Sequence, residues 1–224
     1  VVVNADGTVS VVAEQASGVG TAVVFESGAT SNVGVAFDSS NNKIVIAYKD
    51  GGNSNQGTAI VGTVDSSDNS ISFGTAAVFE TGNLSEMYQI AFDSNSNRVV
   101  IAYSDGGNSN YGTAIVGTVS GTSISFGTAV VFESAYSAYI NTVFDSNSNK
   151  AVIAYQDYGD SQKGKAVVGT VSGTSISFGS IATFANAATG FISSSFDSSN
   201  NKVVIAYQDD DNSNYGTAIV GTVS

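Results

Sequence analysis

The fold is decided by residues 101–127, which read I-A-Y-S-D-G-G-N-S-N-Y-G-T-A-I-V-G-T-V-S-G-T-S-I-S-F-G. Apolar runs rich in β-branched residues alternate here with clusters of Gly, Asn and Ser, a pattern typical of short strands joined by tight turns. Similar stretches recur along the chain. The aspartate of their I-A-Y-x-D block lies at intervals of 55, 52 and 52 residues, as Asp50, Asp105, Asp157 and Asp209. The chain therefore consists of four copies of one internal repeat.

Each repeat is predicted to contain four strands, which we call A, B, C and D in chain order. In the second repeat they cover residues 88–93, 98–104, 113–119 and 123–133. β-Branched and aromatic residues fill these segments, and no window shows the 3.6-residue apolar period of a helix. We therefore expect an all-β protein in which consecutive strands pair antiparallel.

Strand B predicts how the sheets pack. In its first copy, one face carries Ile44, Ile46 and Tyr48, and the other face carries Val45 and Ala47. Because both faces are apolar, another layer must cover the sheet on each side. Four-stranded sheets that are covered on both faces and recur about every 52 residues indicate the blades of a β-propeller.

The two ends of the chain predict how a ring closes. The sequence stops after a strand C, and residues 20–27, G-T-A-V-V-F-E-S, repeat the strand D sequence of residues 127–134. We therefore expect one domain, a four-bladed propeller in which the N- and C-terminal strands share a blade. Its parts are an N-terminal strand and leader at 1–27, with a hairpin within 1–15, and repeats at about 28–79, 80–132, 133–184 and 185–224. An eight-bladed ring of two chains and a piece of a longer array remain open.

Composition excludes several classes of function. Lys and Arg total 7 against 19 Asp and Glu, which gives a net charge of −12, and only 12% of the residues are charged. Without a basic surface the chain is not expected to bind nucleic acid, and no apolar run is long enough to insert into a membrane. His, Cys, Trp and Pro are absent. The sequence therefore excludes zinc sites of the usual kind, disulfides, and catalysis that depends on His or Cys.

The repeats resemble the highly repetitive β-propeller segments of bacterial surface proteins and phage tail-fibre-like proteins. The run that carries the resemblance is I-A-Y-x-D-x-x-N-S-N-x-G-T-A-I-V-G-T-V-S-G-T-S-I-S-F-G, and the resemblance covers nearly the whole chain after Gly18. It implies an architecture similar to that of lectin propellers and a location outside the cell or on the surface of a cell or virion. No sugar-binding motif of a lectin family can be carried over residue by residue.

Candidate binding residues come from comparing the four repeats with one another. The repeats differ mainly in the connection from strand D to the next strand A, and at one position of the loop between strands B and C. Because exposed aromatic residues often mark binding surfaces, these D–A loops and the neighbouring B–C loops are predicted to form a binding face. The candidates are Tyr88, Tyr136, Tyr139, Phe191, Tyr111 and Tyr215, with Asn32, Asn83, Gln89 and Asn141. Sequence drift in loops that contact nothing is the competing interpretation.

No cofactor and no catalytic group are expected. The oxygen-rich B–C loops are explained as Asx turns, and calcium, which needs six to eight oxygen ligands, would fit best at Asp209, Asp210 and Asp211. Most carboxylates recur in every repeat, as turn-forming residues do. The unrepeated acids, among them Glu86 and Asp160, have no evident partner for a glycosidase-type pair.

The sequence therefore predicts a non-catalytic module that binds carbohydrate or a cell-surface receptor. The alternative is a structural or assembly domain of an extracellular fibre, an appendage or a surface layer. Both are compatible with an oligomer and with a larger parent chain.

Overall fold

The computed structural model describes residues 18–223, together with the backbone of Val2–Val3 and Val9–Ser10. This part of the chain consists of antiparallel strands and three short 3₁₀ turns, which confirms the prediction of an all-β protein. The strands are β1 (Val2–Val3), β2 (Val9–Ser10), β3 (Thr30–Asp38), β4 (Lys43–Asp50), β5 (Gln56–Asp65), β6 (Ser70–Phe73), β7 (Ala77–Glu80), β8 (Leu84–Glu86), β9 (Ile90–Asp93), β10 (Arg98–Asp105), β11 (Tyr111–Ser120), β12 (Ser123–Phe126), β13 (Val130–Asp145), β14 (Lys150–Asp157), β15 (Lys163–Ser172), β16 (Ser175–Phe178), β17 (Ala182–Asp197), β18 (Lys202–Asp209) and β19 (Tyr215–Gly221).

The 3₁₀ turns cover Gly106–Asn108, Tyr158–Asp160 and Asp210–Asn212, each between a strand B and a strand C. No helix in the described part of the chain is long and apolar enough to cross a membrane. In the leader, β1 pairs antiparallel with β2, as a hairpin requires. The other residues up to 17, including the predicted turn of this hairpin, lie outside the described residues.

The first repeat shows how the four strands are arranged. β3, β4 and β5 pair in order as strands A, B and C, and both β6 and β7 pair with β5. Phe73 of β6 lies opposite Gly62, and Glu80 of β7 lies opposite Gly57. The two short strands are therefore consecutive halves of a single strand D, aligned along one edge of β5.

The connection from one repeat to the next is a strand in the second half of the chain. In β13, residues up to Tyr136 pair with β11, and residues from Ser137 onwards pair with β14 of the next repeat. β17 connects β15 to β18 in the same way. The prediction of D–A loops is therefore wrong for residues 135–141 and 187–193. Their backbone amides and carbonyls find partners on two neighbouring strands in turn, so no loop is needed.

Strand B is buried on both faces in the first three repeats, as the sequence predicts. Ala47 packs towards the second repeat and Tyr48 packs towards the N-terminal side, and both side chains are fully buried. In the fourth repeat the counterpart of Tyr48, Tyr207, is buried, but the counterpart of Ala47, Ala206, is exposed. In the fourth repeat, the described residues therefore leave the Ala206 face of strand B less buried than the corresponding face in the other repeats.

A tyrosine of strand B is at the centre of each contact between repeats. The ring of Tyr103 packs edge-on against Phe79 of the preceding strand D, with 5.4 Å between ring centroids, and its hydroxyl donates to Glu80 at 3.0 Å. Two further groups of three residues repeat this contact: Phe25, Glu26 and Tyr48, and Phe132, Glu133 and Tyr155. Burial first, and the neighbouring Glu80 carboxylate second, raise the pKa of Tyr103 far above its ordinary value, so the phenol stays protonated.

Residues 20–27, which we call the N-terminal segment, lie where a strand D would precede the first repeat. A Cβ on Gly20 would come within 1.9 Å of the Asn69 carbonyl oxygen, so only glycine fits there. A Cβ on Gly74 or on Gly127, which follow the first half of strand D in the first and second repeats, would come equally close to a backbone oxygen of the next repeat. The N-terminal segment therefore contacts the first repeat as an internal strand D contacts its neighbour, in agreement with its sequence.

The predicted closure of the ring is not found in this structure. Among the described residues β19 pairs only with β18, and residues 18–29 form no strand. The sheet of the first repeat is separate from the sheet that contains the other three repeats. Phe25 and Glu26 contact Tyr48 of the first repeat, but no described residue of the N-terminal segment pairs with β19.

Replacing Tyr103 by Ala should lower the free energy of unfolding by about 3–5 kcal/mol, because it empties a fully buried site and removes the donor to Glu80. Tyr215→Ala is the control, since that ring is 62% exposed, and it should cost about 0.5 kcal/mol or less. Urea unfolding followed by circular dichroism measures both variants. Equal losses would contradict the central role of the strand B tyrosines.

Raising the pH above 10 should destabilise the fold. The pKa values of Tyr48, Tyr103 and Tyr155 are raised from 10.0, first by burial and then by Glu26, Glu80 and Glu133 respectively. Their contribution to stability is complete below the unfolded-state pKa and is lost as the pH rises above it, because only the unfolded chain then releases these protons readily. The urea midpoint should fall between pH 8 and pH 11. It should fall less in Tyr103→Phe, and an identical fall would contradict this assignment.

Candidate functional site

Three aromatic side chains from three successive repeats lie in a row. Between ring centroids, Tyr88 and Tyr139 are 6.0 Å apart with an angle of 21° between the ring planes, and Tyr139 and Phe191 are 5.3 Å apart. We call these three residues the aromatic row. Tyr88 is 45% exposed and Phe191 is 70% exposed, so the row presents ring surface to solvent.

Two members of the row lie on β-bulges with unusual backbone angles. In β13 the pairing register shifts between Ala138 and Asn141, and Tyr139 between them has a φ of 49°. Phe191 has the same φ of 49° in the corresponding bulge of β17, and so has Asn32 in β3. Asparagine tolerates this left-handed conformation, whereas for a bulky aromatic residue it is strained. Tyr139 and Phe191 thus occupy positions where the fold by itself favours Asn or Gly.

A second pair of rings lies beside the row. Tyr136 stacks on Tyr158 with 4.4 Å between centroids and 21° between the ring planes. The sequence does not predict Tyr158 as a site residue, because the acidic residues around it, Asp157 and Asp160, indicate only a turn or a metal site. The available signal was that only the third repeat has an aromatic residue at this place, where the first two have Gly51 and Gly106.

Glu86 joins the two groups of rings. Its carboxylate accepts a hydrogen bond from the backbone N–H of Tyr139 at 2.9 Å and another from the Tyr136 hydroxyl at 3.3 Å. Burial first, and the Glu86 charge second, raise the pKa of Tyr136 to about 12, so this hydroxyl is a donor at neutral pH. The sequence shows Glu86 only as an unrepeated acid without a partner. The structure places its partners one repeat further along the chain.

The other predicted residues are divided between the site and the scaffold. Tyr111 is half-buried and lies opposite Tyr136 in the sheet, whereas Tyr215, its counterpart in the fourth repeat, is exposed. Asn141 is only 4% exposed, and its Oδ1 accepts a hydrogen bond from the backbone N–H of Ser194 at 2.9 Å, so its role as a ligand-binding residue stays a prediction. This hydrogen bond links β13 to β17.

Of the three remaining amides, Asn83 is exposed and Asn32 and Gln89 are half-buried. Asn83 precedes β8, and Gln89 follows Tyr88 in the segment between β8 and β9. Both therefore stay candidates at the Tyr88 end of the row. Asn32 lies in the bulge of the first repeat, so the aromatic row has no ring at this position.

The acidic B–C loops show turn chemistry in the first three repeats. Asp50 accepts from the backbone N–H of Gly52, Asp105 from that of Asn108, and Asp157 from that of Gly159. At the proposed calcium candidates, Asp209 makes no side-chain cap to its 3₁₀ turn, and Asp210 and Asp211 are exposed. Within residues 18–223 no group of three or more acidic side chains is placed to hold a metal ion.

Two lysines that occur only in the third repeat add positive charge next to Tyr158. Lys163 contacts Asp160 at 3.0 Å, and Lys165 contacts Asp160 at 3.1 Å as well as Asp157. Hydrogen bonds from the two ammonium groups hold the pKa of Asp160 below its ordinary value. Exposed ion pairs contribute little to stability. The main effect of these ion pairs is to hold charged groups in place beside the stacked rings of Tyr136 and Tyr158.

A distant structural likeness is found in a crystal structure of a nidogen/laminin complex. The TM-score to a chain of that structure is 0.44 and the sequence identity is 14%. The match covers 84% of this chain and 64% of that chain, so this chain spans less than two thirds of that neighbour's length. No protein-family model matches the chain, and no curated protein matches its sequence.

Proposed function

We propose that this chain is a non-catalytic binding module that holds a carbohydrate along the aromatic row, outside the cell or on the surface of a cell or virion. The observation that supports this most is the presence of Tyr139 and Phe191 at a φ of 49°, where Asn32 stands in the first repeat. Strained side chains cluster at binding sites, where the surrounding structure holds them in place. Aromatic rings kept at such positions and exposed to solvent are explained by a ligand that packs on them.

Carbohydrate suits the row because it combines apolar ring faces with many hydroxyl groups. The exposed faces of Tyr88 and Phe191 offer apolar surface, and Asn83, Gln89 and the charged groups near Tyr158 offer hydrogen bonds. Each of the last three repeats contributes one ring, so a polymeric ligand can contact several rings at once. Several weak contacts along one chain give avidity without a single tight site.

The hydrogen bonds of Glu86 support a binding role without catalysis. Both of its oxygens are engaged, by the Tyr139 amide and by the Tyr136 hydroxyl. A carboxylate held in this way positions the rings. Glycosidases need two carboxyl groups on either side of the glycosidic bond, one of which donates a proton, and Glu86 is not placed for that role.

We infer further that the repeats are blades of a β-propeller. The burial of strand B on both faces in three repeats supports this, since blades pack face to face around an axis. The four-bladed ring, with one blade shared by the two ends of the chain, stays a prediction.

Phe191→Asn tests the site with little disturbance, because the first repeat carries Asn32 in the same bulge. The variant should fold normally and weaken binding to the best polysaccharide of a glycan array, screened with and without calcium. Loss of one stacked ring costs about 1–3 kcal/mol in comparable stacking sites, which corresponds to about 5- to 150-fold in Kd. Isothermal titration calorimetry with that polysaccharide measures the change.

Asn147→Ala is the matched control, because its exposed side chain lies in a turn between strands A and B, away from the row. Its affinity should equal that of the unmodified chain. Equal weakening by both variants would contradict the site. A failure to bind any polysaccharide would favour the structural or assembly role.

A further inference from the structure

The stacked rings of Tyr136 and Tyr158 occur only in the third repeat. In the other three repeats, taken in chain order, the place of Tyr136 is occupied by Ala29, Asn83 and Ala188, and the place of Tyr158 by Gly51, Gly106 and Asp210. The repeat therefore folds without a ring at either place. The two tyrosines occur together in a single copy, which calls for an explanation beyond the framework of the repeat.

The backbone of the repeat brings these two places into contact. In the first repeat, the N–H of Gly51 donates to the carbonyl of Ala29 at 2.8 Å, and a Cβ on Gly51 would lie 3.2 Å from the Cβ of Ala29. In the second repeat, the N–H of Gly106 donates to the carbonyl of Asn83 at the same distance. Large side chains at both places must therefore lie side by side.

In the third repeat, this arrangement gives a close ring stack. The ring centroids of Tyr136 and Tyr158 are 4.4 Å apart, and the ring planes differ by 21°. Carbon atoms in van der Waals contact are about 3.5–4.0 Å apart, so ring carbons of the two residues are at or near contact. Tyr158 is 45% exposed and Tyr136 is half-buried, so the stack can be reached from solvent.

The rest of the chain offers few other groups to an oxidant. Cysteine, tryptophan and histidine are absent, and the single methionine, Met87, is fully buried. Accessible sulfur atoms are the usual first targets of oxidation in proteins. Because this chain has no accessible sulfur among its described residues, oxidation falls on its tyrosine phenols.

Glu86 supplies a proton acceptor to the stack. Its Oε1 accepts a hydrogen bond from the Tyr136 hydroxyl at 3.3 Å, while its Oε2 accepts from the backbone N–H of Tyr139. A neutral phenol that loses an electron becomes a strong acid and must release its proton at once. A carboxylate already hydrogen-bonded to that hydroxyl makes this release easier.

We propose that Tyr136 and Tyr158 form an oxidative cross-linking site, at which a peroxidase-type one-electron oxidant supplied with peroxide joins the two rings into dityrosine. One molecule of hydrogen peroxide takes an electron and a proton from each phenol and becomes two molecules of water. The proton of Tyr136 leaves through Glu86. The two phenoxyl radicals then form a carbon–carbon bond at ring positions next to their oxygens. The hydrogens of these carbons move to the oxygens, which restores both phenols.

The other stacked pair of tyrosines is less suited to this reaction. Tyr88 and Tyr139 have the same angle of 21° between ring planes, but their centroids are 6.0 Å apart. Tyr139 is also held in a bulge of β13 at a φ of 49°. Tyr158, in contrast, begins a 3₁₀ turn that contains no buried residue, so its ring can approach its partner.

The cross-link joins β13 covalently to the turn that follows β14. Tyr139, the middle ring of the aromatic row, lies three residues after Tyr136 on the same strand. The bond therefore holds the backbone beneath the row. It also constrains the unfolded chain in the way a disulfide does, and this chain has no cysteine to form one. The proposal does not depend on whether the row binds carbohydrate.

Peroxidase treatment of the dilute, unmodified chain tests the proposal, with one equivalent of hydrogen peroxide. We expect a monomer that is lighter by two hydrogen atoms, shows dityrosine fluorescence, and yields a linked peptide containing residues 136 and 158 on digestion. Tyr158→Phe should lose most of this fluorescence, because it keeps the ring but has no phenol to oxidise. Tyr88→Phe is the matched control and should keep it, since it removes a phenol from the wider pair.

Glu86→Gln tests the proton acceptor. Glutamine can still accept the hydrogen bond from Tyr136, but it cannot take up the proton, so the initial rate of cross-linking should fall. Circular dichroism before oxidation checks that each variant is folded. An unchanged rate would contradict the role given to Glu86.

Four results would overturn the proposal. One is a cross-linked monomer that forms equally well in Tyr158→Phe, and another is an equal loss in Tyr88→Phe, since both point to a different pair. A third is dityrosine found only in dimers and larger species, since this shows coupling between molecules. The fourth is the absence of any product when free tyrosine couples in a parallel reaction.

Discussion

The burial of strand B on both faces is the constraint on which the rest of the structure depends. A sheet that is apolar on both sides cannot be stable in water as a single repeat, so each repeat needs a neighbour on each side. The strand B tyrosine makes this dependence specific. Tyr103 packs on Phe79 and donates to Glu80, and both partners belong to the preceding strand D. Stability is therefore a property of adjacent pairs of repeats, as in other repeat proteins.

The candidate site uses the same dependence between neighbours. Tyr88, Tyr139 and Phe191 come from three repeats, and the rings meet only because the repeats are packed together. Glu86 of the second repeat holds two tyrosines of the third. Because strand D continues directly into strand A in β13 and β17, the backbone under the row is held by hydrogen bonds on both sides of each bulge. A rigid row of this kind loses little conformational entropy when it binds an extended ligand.

Much of the fold could be predicted from the sequence, because strand patterning is local and is repeated four times. The limits lie where contacts cross between repeats. The segment around Tyr139 reads as a loop, since a bulge that shifts the register leaves no periodic signal. Asn141 looks like a surface amide, but Ser194 of the next repeat buries it. Glu86 looks like an acid without a partner for the same reason, because its partners lie about 50 residues further along the chain.

The identity of residues 20–27 and 127–134 has a consequence for how the chain reaches its structure. While the protein folds, two equal strands compete for the edge of β11, and the sequence of either one satisfies it. The correct strand, β13, begins after the nine residues that follow the end of β11, whereas residues 20–27 must close a loop of about 85 residues, roughly three doublings of length more. Each doubling costs about 0.6 kcal/mol of loop-closure entropy, so the short connection favours the correct strand by about 2 kcal/mol. Chain connectivity, and not side-chain recognition, selects which copy is used at each place in this molecule.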